Sequence, residues 1–195
     1  MAPSKILDMA LRPIALNPVC LRELTREEID FRIRRIVRSV RYERDADGHS
    51  FRILGPDMSY HNVDRGLAAG LKVLDPGVAV DDVFLFQESR RNFDLCLEDS
   101  WSGRFIAQQT AGWQDENLVL IHLDDHSDMM PTLLHVNGDR LIDTSSGQAF
   151  DPEAPDSWRS SILSGCVSIG NFVSPLFYAK RKLHFQSASR CVCAA

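Results

Sequence analysis

Asp124, His126 and Asp128 occupy alternate positions of the segment Asp124-Asp125-His126-Ser127-Asp128. In extended chain, residues two apart point to the same side. The spacing therefore predicts that two carboxylates and an imidazole converge on one point, with Asp125 and Ser127 facing away. Such a hard-to-borderline donor set suits manganese, iron or zinc. The chain has nineteen aspartates and six histidines, and composition alone would yield Asp-x-His-x-Asp roughly 0.06 times in such a chain. A polar turn whose aspartates cap backbone amides is the plainer explanation, and metal ligation is preferred to it. His122, two before Asp124 on the same strand face, is a candidate catalytic or substrate-contacting side chain, or a strand histidine satisfied by a backbone carbonyl.

The element that must deliver these groups is Leu118-Val119-Leu120-Ile121-His122-Leu123, the clearest strand in the chain. Functional groups in open parallel sheets gather just past the carboxyl ends of strands, and the acidic segment lies there. Upstream, Thr25-Arg26-Glu27-Glu28 reads as a capping box. Ile29, Ile33, Ile36, Val37 and Val40 recur at helical spacing behind it, which predicts a helix over about 26–42. Its other face carries Arg32, Arg34, Arg35, Arg38 and Arg41, either a solvated face or a groove for an acidic peptide. Val83-Phe84-Leu85-Phe86 reads as a buried strand. Helices are expected near 64–74, 92–101, 103–112 and 157–163, and short strands at 51–54, 166–169 and 182–185. Asn137-Gly138 signals a hairpin. Ser164-Gly165 and Gly170-Asn171 would frame a substrate loop, with Asn171 on a polar group. Alternating helical and short apolar patterns predict an α/β domain with a mostly parallel sheet. Residues 1–24 read as a loop segment, broken by Pro3, Pro13 and Pro18, and 25–195 as one domain.

The run Ile121-His122-Leu123-Asp124-Asp125-His126-Ser127-Asp128-Met129 resembles the Asp-Ala-His-x-Asp signature of the arginase and ureohydrolase superfamily. With His122 it is similar to the small arginase-related proteins that include the peptide arginases of ribosomal-peptide biosynthesis, over about residues 80–178. The resemblance implies a three-layer sandwich and two manganese ions. Asp124 would bridge them, His126 would bind one and Asp128 the other. It also implies hydrolysis of arginine side chains in a peptide, giving ornithine and urea. An earlier histidine of the family has no counterpart, since none occurs between His61 and His122; Glu88 is expected to substitute as an oxygen ligand. The family's later Asp-x-Asp is also missing, and no acidic residue follows Asp156. The chain is therefore expected to be a truncated form, incomplete at its C-terminal end. Two alternatives stand beside the hydrolase: an arginase-like peptide-binding module with an incomplete metal shell, and another kind of metal-dependent hydrolase.

Composition sets outer limits. The 195 residues are 44% apolar and 25% charged, ordinary for a globular domain. A net charge of -5 disfavours nucleic acid as a partner, because phosphate neutralisation needs a basic surface. The apolar runs are far shorter than the ~20 residues of a membrane span, and no apolar stretch follows Lys5 as a secretory signal requires. Five scattered cysteines without a secretory feature point to the cytoplasm and free thiols. Cys191-x-Cys193 and His61 are read as incidental, and Cys166 lacks the neighbouring histidine that a thiol nucleophile needs.

Overall fold

The computed structural model describes residues 11–16, 21–36, 40–57, 59, 66–75, 77–113, 117–124, 126–178 and 183–188. His61, Arg38, Cys191 and Cys193 lie outside them.

The capping box forms. Thr25 N–H donates to Glu28 Oε2 at 2.7 Å and Glu28 N–H to Thr25 Oγ1 at 3.3 Å. This pair starts α1 (Arg26–Ile36), which buries Ile29 and Ile33. The helix ends earlier than the spacing suggested. Val40 belongs to β2 (Val40–Arg44), which pairs antiparallel with β3 (Ser50–Pro56). β-branched Val40 gains more from packing in a pleated sheet than from a further helical turn. Arg41 thereby leaves the arginine face of α1. A two-residue strand, β1 (Ile14–Ala15), pairs with the far edge of β3. Ile29, Ile33, Val40, Phe51 and Ile53 form one small core.

α2 (Leu67–Leu74) leads into a 3-10 helix at Val80–Leu85. The apolar run 83–86 is therefore helical over most of its length, not a strand. Asp82 Oδ2 accepts the Ala79 N–H at 3.0 Å, which curls the chain. A four-residue apolar run carries no periodicity that could distinguish the two. Residues expected to be helical near 92–101 instead hold β5 (Asp94–Cys96), which pairs antiparallel with β4 (Gln87–Ser89), and the turn that follows it.

α3 (Trp101–Gln109) and α4 (Pro155–Leu163) pack against each other at the larger core. Gly103 makes this approach possible, since a Cβ there would run into the Trp158 ring. Both indoles are buried and satisfied: Trp101 Nε1 donates to Phe84 O at 2.5 Å, and Trp158 Nε1 to Pro152 O at 2.9 Å. β7 (Leu134–Asn137), β8 (Arg140–Asp143) and β9 (Ala149–Phe150) make an antiparallel sheet. Its first turn is the expected Asn-Gly hairpin, with Gly138 at φ 63°. Residues 166–169 are turn rather than strand.

β6 (Leu118–Leu123) spans the run expected as a strand, and it pairs in parallel with β10 (Leu183–Ala188), Leu118 opposite Leu183 and Leu123 opposite Ala188. The chain is thus of mixed α/β class. Among the described residues, three of four small sheets are antiparallel, and β6–β10 is parallel. No helix among the described residues is long and apolar enough to cross a membrane.

Candidate metal centre

β6 alternates strictly. Leu118, Leu120 and His122 are half-buried, with Leu120 packed on the larger core, while Val119, Ile121 and Leu123 are exposed. His122 is thereby held against the protein, its ring edge-to-face with Phe172 at 5.9 Å between centroids. Past Leu123 the strand ends. The Asp124 carboxylate accepts the His126 N–H through Oδ1 at 3.4 Å, a local turn that diverts the chain. The alternation of the strand therefore does not continue through Asp128.

Asp128 reaches the interior by another route. It has a positive φ of 49°, the only such non-glycine among the described residues. Its carbonyl accepts the Val173 N–H at 3.1 Å, and Met130 N–H donates to Gly170 O at 3.0 Å. These bonds tie the loop after β6 to the turn at 168–173. Asn171 locks that turn: its Oδ1 accepts Ser168 N–H at 2.9 Å, and its Nδ2 donates to Pro131 O at 3.4 Å. It thus braces the loop from within. Gly170, at φ 85°, lies under the site, where a Cβ would sit 4.0 Å from Asp128 Oδ1.

The result is a compact group. His122, Asp124 and Asp128 each offer one ligand atom, all within 4.8 Å of one another. His122 Nε2 is 3.2 Å from Asp128 Oδ2 and 3.8 Å from Asp124 Oδ2. The Asp128 side chain is 4% exposed, and its Oδ2 accepts no hydrogen bond among the described residues. Of the residues singled out by spacing, Asp124 and Asp128 are brought together and His126 is not in the group. The His126 side chain is 75% exposed, with Nδ1 3.8 Å from Asp124 Oδ1. Glu88 is also outside the group; its carboxylate pairs with Arg90.

Asp99 escaped the sequence reading. It lies in the turn before α3, where Ser102 N–H donates to its carbonyl at 2.9 Å. Its carboxyl is held above the usual carboxylate range by the protein packed around it and then by the Asp124 charge, with His122 and His126 acting in the opposite sense. Asp128 is raised in the same way: burial acts first, then Asp124, with Asp99 adding to it and His122 opposing. The signal that could have found Asp99 is Glu98-Asp99-Ser100 directly ahead of a helix opened by a buried tryptophan. Asp99 is exposed, Asp124 half-buried and Asp128 buried, and like charges near a buried carboxylate are costly without a compensating cation. A donor set of one imidazole and two carboxylates fits a divalent transition ion, and three protein ligands leave positions open for water or substrate.

The chain matches no family model, no curated protein and no solved structure.

Cys166 is no rival centre. It is fully buried, and burial, reinforced by Asp143, pushes its thiol well above the ordinary range, the reverse of what a nucleophile needs.

Proposed function

We propose that this chain is a divalent-metal-dependent hydrolase whose centre is His122, Asp124 and Asp128. The observation that carries the reading is the convergence of these side chains at the end of β6, with one buried carboxylate oxygen that accepts no hydrogen bond among the described residues. A bound divalent ion would supply an acidified water as nucleophile near neutral pH. The protein's own contribution is positional. β6 and Phe172 fix the imidazole, and the loop bonded to the turn at 168–173 fixes Asp128.

The narrower proposal is manganese-dependent hydrolysis of the guanidino group of arginine in a peptide, giving ornithine and urea. It rests on the similarity of residues 121–129 to the arginase signature. It includes the fold, with β6–β10 as the parallel kernel of a three-layer sandwich, and the cytoplasm as compartment. A guanidinium is a poor electrophile, so activity requires both a strong nucleophile and stabilisation of the tetrahedral intermediate. The exposed arginines of α1, Arg32, Arg34 and Arg35, favour a second reading in which the same centre belongs to a peptide-binding module without turnover.

The test is mass spectrometry of an arginine-containing peptide incubated with the purified chain and Mn²⁺. The expected result is conversion of arginine to ornithine by the parent chain and none by Asp124→Asn. Full turnover by Asp124→Asn would remove the metal mechanism. No turnover by a metal-loaded parent chain would leave the binding module.

A further inference from the structure

We propose that the chain holds a single divalent cation, ligated by His122 Nε2 and one oxygen each of Asp124 and Asp128, with His126 outside its coordination shell. The inference deepens the hydrolase reading by naming the ligand set of the same site. It departs from the pair of ions that the sequence resemblance implies.

Three independent features support it. First, the ligand atoms of His122, Asp124 and Asp128 lie within 4.8 Å of one another, a spread that small side-chain adjustments close around one ion. Second, the Asp128 side chain is 4% exposed and its Oδ2 accepts no hydrogen bond among the described residues. A buried carboxylate in that state calls for a positive partner, and the oxygen faces His122 Nε2 at 3.2 Å. Third, the two oxygens of Asp124 serve different neighbours. Oδ2 lies on the His122 side at 3.8 Å, while Oδ1 accepts the His126 backbone N–H at 3.4 Å. His126 is the residue whose turn Asp124 caps, and its imidazole is 75% exposed. A second ion bound there would sit at the surface. The ion most compatible with one imidazole and two carboxylates is manganese, iron or zinc.

The experiment uses the full chain with Mn²⁺ as the probe. Equilibrium dialysis with elemental analysis gives the stoichiometry, and pulsed electron paramagnetic resonance detects imidazole nitrogen coupled to the bound ion. One Mn²⁺ per chain is expected, with a nitrogen coupling that survives His126→Ala and disappears in His122→Ala. His122→Ala and Asp128→Asn should each weaken binding by about tenfold or more, as loss of a group that holds or orients a metal does. His126→Ala should change it by less than about threefold on the same scale. Circular dichroism confirms that each variant is folded, and His122→Gln provides a second test if His122→Ala is not. Two ions per chain, or a nitrogen signal lost in His126→Ala, would overturn the proposal while leaving hydrolysis open. Absence of binding at millimolar Mn²⁺ would overturn it as well, with His122 and Asp128 then a plain ion pair. One ion with no turnover would uphold it and count against the hydrolase.

Discussion

Asp128 and Asp143 are both buried aspartates, 5% and 1% exposed, and the protein treats them in opposite ways. Asp143 sits at the end of β8 with four donors aimed at it. Ser145 and Ser146 N–H groups donate to Oδ1 at 2.8 and 2.9 Å, and Ser161 and Ser164 hydroxyls to Oδ2 at 3.0 and 2.6 Å. The carboxylate ties the β8–β9 turn to α4 and to the residue that follows it. Among the described residues, Asp128 Oδ2 accepts no hydrogen bond, and burial, then the Asp124 charge, raises its carboxyl above the ordinary range, with Asp99 adding to it. A buried carboxylate whose acceptors are filled serves the fold. Asp128 Oδ2 instead faces the His122 imidazole, at 3.2 Å.

The contrast has measurable consequences. The largest is expected at Asp143. Asp143→Ala strands two backbone amides and two hydroxyls in the interior, and should cost about 4 kcal/mol of unfolding free energy in urea titrations. Asp143→Asn keeps an acceptor but places an amide donor against the serine hydroxyls, and should cost about 2 kcal/mol. A loss below about 1 kcal/mol for the alanine variant would erase the distinction between the two sites.

Asp128→Asn should behave differently. In metal-free protein at pH 7 it removes a poorly compensated buried charge, so stability should be unchanged or higher by about 1 kcal/mol. The same variant should lose the stabilisation that saturating Mn²⁺ gives the parent chain, about 2.7 kcal/mol at a hundredfold excess over Kd. Strong destabilisation of Asp128→Asn without metal would mean that Asp128, too, serves the fold.

A pH series sharpens the point. The folded Asp128 carboxyl is raised, so the folded chain binds that proton more tightly than the unfolded chain. Its contribution to metal-free stability is therefore fully present below the ordinary carboxylate range. It is lost as pH rises through the raised folded value, and Asp99 acts with the same sign. Asp128→Asn should flatten this slope in urea midpoints taken across the mildly acidic range. The smallest effect is that of Asp99→Asn. It removes one like charge near Asp128 and should shift the midpoint of the remaining slope to lower pH, by less than about one unit. A shift to higher pH would show that Asp99 does not face the centre.

Much of the scaffold was legible from residue patterns because local chemistry decides it. The apolar run 118–123 became β6, Thr25 and Glu28 capped α1, and Asn137-Gly138 turned β7 into β8. Short apolar runs were not legible, since 83–86 offers no period to read. Nor was the pairing of β10 with β6, which depends on a crossover between strands far apart in sequence. At the centre, spacing singled out Asp124, His126 and Asp128, whereas the structure groups Asp124 and Asp128 with His122. Extending the strand's alternation past Leu123 placed His126 with Asp128, but the Asp124 side chain caps the His126 N–H and diverts the backbone. His122, still on the strand, takes that place. Asp99 comes from a different element, and no local pattern links it to Asp124.

The most direct measurement is a crystal structure of the chain soaked with Mn²⁺, with data collected for anomalous scattering. The expected result is one strong peak per chain, at bonding distance from His122 Nε2 and from an oxygen of each of Asp124 and Asp128, with the Asp143 carboxylate still accepting from Ser145, Ser146, Ser161 and Ser164. A peak on His126 away from His122, or no peak in the presence of a bound ion elsewhere, would contradict it.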